Sequence, residues 1–250
     1  MMSNIICNEK VSEKGRFNLF IFPCSGGTAS SYHGWREHLS DEINIYPVQY
    51  PMREKRARDA MPESIKLLAR SLADDCIDII KEKNFAFLGD CSGSLVAYEA
   101  SVYLSEKYGI SPEALFVVSS PAPDISNPMY YKNKLISQLD DDGFISFLKE
   151  NMSFPDEFYE NKFAVEYYKK IVKTDFKMVE EYEYSSKIKL GCRLSVFYGK
   201  DDPYMSEEQS EGWKNYTDHG FDHYILDGGH NIFETHPKEI CKEIEKAILG

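Results

Sequence analysis

Hydrophobic positions along the chain follow two alternating periods. Short apolar runs rich in β-formers recur at "RFNLFIFP" (16–23), "INIYPVQYP" (43–51), "FAFLG" (85–89), "ALFVVSS" (114–120), "RLSVFYG" (193–199) and "FDHYILDGG" (221–229). Each is bounded by proline, glycine or small polar residues and reads as a buried strand. Between them the period lengthens. In "MPESIKLLARSLADDCIDIIKEK" the apolar positions Ile65, Leu68, Ala69, Leu72, Cys76, Ile79 and Ile80 follow steps of three and four, one buried face of a helix. Pro62 and Glu63 suit its first turn. "SSYHGWREHLSDE" predicts a short helix, and others are expected after Ser92, after Ser206 and after Pro237, where Ile240, Cys241, Ile244 and Ile248 share a face. Strands separated by helices predict an α/β fold, its central sheet mostly parallel and covered by helices on both sides.

One stretch departs from this rhythm. From about 124 to 189 no strand is evident, only aromatic-rich helical text such as "DDGFISFLKENM" and "EFYENKFAVEYYKKIVKTDFKMVEEYEY". Helices inserted between two strands of such a sheet are expected to form a lid over the site. A second small helical domain would have the same sequence pattern. The pattern predicts a single domain spanning 1–250 with a lid insertion at approximately 124–189.

Composition narrows the function. Of the 250 residues 42% are hydrophobic and 28% charged, ordinary for a globular protein. No apolar run approaches the ~20 residues that span a bilayer, and the N-terminus has neither the basic start nor the apolar core of a secretory signal. Six cysteines without a CxxC or CxxH pair point to reduced thiols and a cytoplasmic protein. HExxH, GxGxxG and GxxxxGK[ST] are all missing from the sequence, which speaks against a bound metal, dinucleotide or nucleotide triphosphate. A net charge of −12 disfavours nucleic acid as partner. Against that acidity stands one basic run, "MREKRAR", with Arg53, Lys55, Arg56 and Arg58; an acidic partner would have to dock there, and a solvated loop is the plainer alternative.

The chemistry concentrates in "FLGDCSGSLVAYEA" (87–100). A strand running into Gly-x-nucleophile-x-Gly and then a helix is a nucleophile elbow. The nucleophile sits on a strained turn, and Gly89 and Gly93 are small enough to let strand and helix approach. Cys91 would therefore stand at a helix N-terminus, where backbone N–H groups favour a thiolate. A structural cysteine between two glycines is the alternative, and it weakens when partners are found in order. "VFYGKDDPY" places Asp202 just beyond one strand and "ILDGGHNIF" places His230 just beyond the next, the order nucleophile, acid, histidine of an α/β-hydrolase triad. Asp201 competes for the acid's place, with Pro203 favouring Asp202. The remaining histidines, His33, His38, His219, His223 and His236, lack such a context. An oxyanion hole would use the Ser92 N–H and an N–H from "FPCSGG", either Ser25, the better placed, or Cys24. Cys24 near Cys91 would allow a redox pair; a small loop residue is the simpler reading.

Together these segments resemble the type II thioesterases that accompany nonribosomal peptide and polyketide synthases. "FPCSGGTASSYHGW" resembles the family's Phe-Pro-x-Ala-Gly-Gly opening, "VQYPMREKR" its Tyr-Pro-Gly-Arg-x-x-Arg segment, and "YGKDDP" and "GGHNIF" its acid and histidine turns. The resemblance implies an α/β-hydrolase fold with a helical lid, and substrates that are acyl groups held as thioesters on the phosphopantetheine arms of carrier proteins. It implies no cofactor beyond the arm the substrate carries, a monomer, and no nucleic-acid or membrane partner. The chain departs from the pattern in its elbow, Gly-Asp-Cys-Ser-Gly where the family has Gly-His-Ser-Met-Gly, in Met52 for a glycine and in Ser25 for an alanine. Asp90 puts a carboxylate next to the nucleophile; pointing inward it would oppose a thiolate, pointing away it would bind a loop.

These residues imply a thioesterase in which Cys91 attacks the carrier thioester, His230 carries the proton and Asp202 holds the imidazole. Thioester exchange onto sulfur is nearly thermoneutral and keeps the acyl group activated. The same intermediate would serve a chain-releasing acyltransferase or cyclase, and a non-catalytic carrier-binding protein is a third possibility. Carrier proteins are acidic, so Arg53, Lys55, Arg56 and Arg58 are expected to seat the carrier or its phosphate. Phe144, Phe147, Tyr167 and Tyr168 in the lid would line an acyl pocket or pack the lid's own core.

Overall fold

The computed structural model describes residues 11–125, 130–152, 154–185 and 188–250. Strands β1 (Phe17–Phe22), β2 (Ile43–Pro47), β3 (Asn84–Asp90) and β4 (Ala114–Val118) are followed by a two-residue hairpin, β5 (Tyr130–Tyr131) and β6 (Lys134–Leu135), and later by β7 (Arg193–Gly199) and β8 (Phe221–Leu226). The six long strands form one sheet in the order β2-β1-β3-β4-β7-β8, every pairing parallel. The helices are α1 (Ile65–Glu82), α2 (Gly93–Tyr108), α3 (Asp141–Asn151), α4 (Asp156–Glu160), α5 (Lys162–Glu180), α6 (Glu207–Glu211), α7 (Ile232–Thr235) and α8 (Pro237–Leu249).

The strand period of two feeds two cores. Phe20, Phe22, Phe85, Phe87, Leu115 and Val117 point to the face covered by α1 and α2. Their neighbours Leu19, Ile21, Ala86, Leu88, Phe116 and Val118 point to the other, where Tyr32, Trp35, Ile240 and Ile244 pack. Both faces are buried, which is why the strands read as continuous apolar runs. Cys76 is 3% exposed and belongs to the first core.

Several boundaries differ from the expected ones. β2 stops at Pro47; Val48 N–H makes one more bond to the Ile21 carbonyl before the chain turns away. α1 begins at Ile65 rather than at Pro62, because the Ser64 side chain caps it by accepting from the Leu67 N–H. The segment 29–37 is a 3-10 helix. β4 ends at Val118, since Ser119 has φ 48° and breaks the strand. Between 124 and 189 the hairpin was missed: its strands are too short for a period to emerge, and only the positive φ of Lys132 and Asn133 marks its turn.

The segment between β4 and β7 otherwise contains α3, α4 and α5, with its own core of Phe144, Phe147, Leu148, Val172 and Phe176. It lies against the carboxyl end of the sheet: the Tyr167 hydroxyl of α5 donates to the Met52 carbonyl at 2.7 Å, and the Asp175 carboxylate accepts from the Gly26 N–H at 2.8 Å. Loops after β1, β3, β7 and β8 converge beneath it, β1 and β3 flanking the point where the strand order reverses. Among the described residues no helix is long and apolar enough to cross a membrane.

Candidate active site

The elbow after β3 places Cys91. Its φ is 49°, a left-handed conformation that costs a cysteine of order 1–3 kcal/mol and persists where surrounding structure demands it. The demand is visible. Cys91 N–H is held by the Val118 carbonyl at 2.8 Å, and the Cys91 carbonyl accepts from Ser94 N–H at 3.0 Å as α2 begins. A Cβ on Gly89 would lie 2.2 Å from Ser94 Cα, and one on Gly93 would lie 2.1 Å from the Phe22 carbonyl oxygen. Strand, helix and β1 touch through backbone alone, which requires glycine at both positions.

The acid and histidine loops interlock. Asp201 N–H bonds the Gly228 carbonyl at 2.9 Å, Asp202 N–H bonds the Gly199 carbonyl at 3.0 Å, and Ser119 hydroxyl donates to the His230 carbonyl at 2.6 Å. The result is a continuous chain: Asp202 Oδ2 to His230 Nδ1 at 2.8 Å, and His230 Nε2 to Cys91 Sγ at 3.3 Å. The Asp202 side chain is fully buried, and its other oxygen accepts from Tyr204 N–H at 2.8 Å. Asp201 is exposed and does not reach the ring. Burial by itself would lower the His230 pKa, but the negative charge of Cys91 and the bond to Asp202 outweigh it and raise the value well above the ordinary histidine range. The ring thus favours the imidazolium beside the Cys91 sulfur.

Ser25 lies beside the elbow: its hydroxyl donates to the Ser92 hydroxyl at 2.9 Å. Among the described residues neither the Ser25 nor the Ser92 backbone N–H makes a hydrogen bond within the protein. Both are therefore free to donate to an oxyanion at the sulfur. Cys24 is a free thiol whose pKa stands well above the usual thiol value through burial first, then through the charges of Asp90 and Cys91 and a hydrogen bond to Asp90. Asp90 turns away toward that loop, where its Oδ2 also accepts from the Tyr32 hydroxyl at 3.1 Å. Burial raises the Asp90 carboxyl to about 6.

The basic run divides. Lys55 and Arg58 are exposed. Arg56 is half-buried, donating to the Asp59 carboxylate at 2.8 Å and to the Gln49 carbonyl at 3.1 Å. Arg53 contradicts the expectation of a docking residue. It is 1% exposed and makes a bidentate pair with buried Asp175, 2.7 and 2.9 Å, so no incoming partner can reach it. Met52 has φ 66°, a left-handed conformation that glycine adopts at no steric cost.

A cleft open at its mouth is lined by Cys91, Ser92 and His230 together with Leu95 of α2, Ile125, Tyr204, the α5 residues Phe176 and Val179, and Tyr182 just beyond the end of α5. Phe144 and Phe147 do not reach it and are wholly core. Tyr167 is exposed, and the Tyr168 hydroxyl bonds the Met152 sulfur at 3.2 Å. The lining residues of α5, and Asp175, were not found by sequence reasoning. Asp175 left one signal: it interrupts the apolar row Val165, Tyr168, Val172, Phe176, Val179 of α5, and an acidic residue on a buried face needs a partner. Among the described residues no cluster of three or more histidine, cysteine or carboxylate side chains is placed to hold a metal ion.

A family model for the thioesterase domain matches residues 17–248. By sequence the chain is 28% identical over 249 residues to linear gramicidin dehydrogenase LgrE of Brevibacillus parabrevis, covering 98% of this chain and 93% of that protein. Among solved structures, the RedJ thioesterase of the prodiginine biosynthetic pathway in Streptomyces coelicolor aligns with a TM-score of 0.83 at 26% identity, covering 94% of this chain and 91% of that one. The type II thioesterase BorB of the borrelidin biosynthetic cluster aligns with a TM-score of 0.83 at 25% identity, covering 98% and 96%. The parallel sheet, its flanking helices and these neighbours are those of the α/β-hydrolase fold.

Proposed function

The chain belongs to the thioesterase domain family, and from that premise we propose that it is a type II thioesterase of nonribosomal peptide or polyketide biosynthesis, releasing acyl or peptidyl groups from the phosphopantetheine arms of carrier proteins through a Cys91–His230–Asp202 triad. It belongs to a class of thioester hydrolases, and the observation that carries the finer reading is the hydrogen-bonded chain from Asp202 through His230 to Cys91 at the wall of the cleft. The Cys91 thiolate attacks the thioester carbonyl carbon, forming a new S–C bond and an oxyanion. The Ser25 and Ser92 N–H groups receive that oxyanion. Collapse breaks the bond to the phosphopantetheine sulfur, which leaves with the proton of the His230 imidazolium. In the second half His230, now neutral, takes a proton from water; hydroxide adds to the acyl carbon, and Cys91 departs as thiolate from the free acid.

Sulfur at the elbow favours a second outcome for the same intermediate. The acyl group on Cys91 remains a thioester, reactive enough toward an amine or hydroxyl for a chain-releasing transferase. Product analysis separates the two: free acid formed at the same rate with and without candidate amines leaves only hydrolysis. No cofactor enters either route beyond the arm carried by the substrate. We place the reaction in the cytoplasm, in keeping with the five free cysteines among the described residues.

The decisive experiment is intact-mass analysis after exposure to an acyl-carrier donor, with the adduct mapped to its residue. An acyl mass on Cys91, lost in Cys91→Ala, is expected. A protein that yields neither adduct nor free acid is not this enzyme.

A further inference from the structure

The Arg53–Asp175 pair does more than satisfy two buried charges. Asp175 Oδ2 accepts from Gly26 N–H at 2.8 Å and from Arg53 Nη1 at 2.9 Å, while Oδ1 accepts from Arg53 Nη2 at 2.7 Å. Arg53 Nη1 also donates to the Gly27 carbonyl at 2.8 Å, and its Nε donates to the Pro51 carbonyl at 3.1 Å. Both side chains are almost fully buried. Three separate segments therefore meet at one ion pair: helix α5, the loop after β1, and the turn after β2. Gly26 has φ 77°, and a Cβ there would lie 2.7 Å from the Tyr168 hydroxyl and 2.9 Å from Val172 Cγ2, so α5 lies directly on this loop.

Gly26 follows Ser25, whose N–H is free and whose hydroxyl bonds that of Ser92. We propose that Arg53 and Asp175 are positioning residues: from helix α5, the Asp175 carboxylate, itself oriented by the Arg53 guanidinium, clamps the Gly26 amide and so aims the adjacent Ser25 N–H at the thioester oxygen over Cys91. This rests on the catalytic reading above and adds a consequence to it. The helical segment above the cleft and the oxyanion donor are one mechanical unit, so displacement of α5 by an incoming acyl chain would reach the donor directly. Lysine in place of Arg53 would keep the charge but lose the fork that fixes both carboxylate oxygens.

The test compares two reactions of the same sulfur. Thioester acylation builds an oxyanion; alkylation by iodoacetamide needs the thiolate but no oxyanion hole. The variants are Asp175→Asn, Arg53→Lys and the double replacement Arg53→Met with Asp175→Leu, whose apolar pair avoids a stranded buried charge. Acylation of Cys91 by an acyl-carrier donor should fall at least ~10-fold, approaching the ~100-fold loss of one oxyanion donor for the double variant. Alkylation mapped to Cys91 should stay within about twofold, and the double variant should melt cooperatively. Unchanged acylation overturns the proposal. So does a parallel fall in both reactions, which would mark a purely structural pair. If wild-type Cys91 alkylates but accepts no acyl group from the carrier, the catalytic reading itself fails, and that outcome is distinguishable from either.

Discussion

His230 Nε2 stands 3.3 Å from Cys91 Sγ, while its Nδ1 is 2.8 Å from Asp202. Burial opposes a charged ring, but Cys91 and Asp202 outweigh it and hold the His230 pKa well above an ordinary histidine, so the imidazolium is favoured. Asp202→Asn removes one stabilising partner of the imidazolium. The ring should then lose its proton at lower pH than in the wild type, followed by the NMR shift of its Cε1 proton, and the alkaline limb of kcat/KM should move down with it. Turnover should fall by about 10² to 10⁴. A ring titration unchanged in the variant would mean that Asp202 does not set the histidine's charge.

The elbow predicts a steric result. Alanine at Gly93 would put its Cβ 2.1 Å from a β1 carbonyl oxygen, and neither strand nor helix can yield without breaking the sheet. Gly93→Ala should cost more than ~4 kcal/mol, the tail reserved for severe core disruption, and be recovered mainly as insoluble protein. Circular dichroism on any soluble fraction checks it. A variant that melts with the wild type would show the close approach to be loose.

Cys91, Asp202 and His230 were legible because each occupies a turn at a strand end, and such turns carry glycine, proline and chain order in the sequence itself. The two apolar faces of the strands and the buried stripe of α1 were legible for the same local reason. Arg53 was not. Its neighbours Lys55, Arg56 and Arg58 make a local basic pattern, while the counter-charge that buries it lies 122 residues away on α5. Val179 and Phe176 were hidden differently: helical periodicity shows that a face is buried but not whether it faces a core or a cleft.

Asp90 makes stability depend on pH. Its carboxyl is raised to about 6 by burial, against 3.8 unfolded. A raised folded value means the native state holds the proton more tightly. The contribution is therefore full below about pH 4, fades as pH rises through about 6, and is absent above that. Asp90→Asn can keep an acceptor for Tyr32 without the charge, so it should stabilise by up to about 3 kcal/mol at pH 7.5 and scarcely at all at pH 3.5. Thermal melts of both proteins across this range check the sign; a gain larger at the acid end would reverse it.

The surviving cations of the basic run still predict docking. Lys55 and Arg58 are exposed near Met52, whose carbonyl is tied to Tyr167 of α5. Reversing both, Lys55→Glu with Arg58→Glu, should raise KM for a carrier-bound acyl group several-fold while leaving a small free thioester unaffected, with the difference shrinking in high salt. Equal effects on both substrates would remove these residues from the docking surface.

The depth of the cleft predicts acyl length. Tyr182 lines it, and its hydroxyl donates to the buried Glu99 carboxylate at 2.7 Å. Ser92, Leu95 and Glu99 follow one another along α2, and at ~1.5 Å per residue Glu99 lies about 10 Å beyond Ser92. An extended chain covers that span in about three residues, or roughly nine main-chain bonds. A longer acyl group is therefore expected to meet the Tyr182 ring, which Glu99 holds at the cleft wall. Tyr182→Ala should raise kcat/KM for long acyl chains relative to short ones, whereas Tyr182→Phe should keep the chain-length profile and lose about 1–3 kcal/mol of stability from the unpaired carboxylate. A series of acyl-carrier donors of increasing length measures the first and denaturant unfolding the second. If the alanine variant keeps the wild-type profile, the cleft ends somewhere other than this ring.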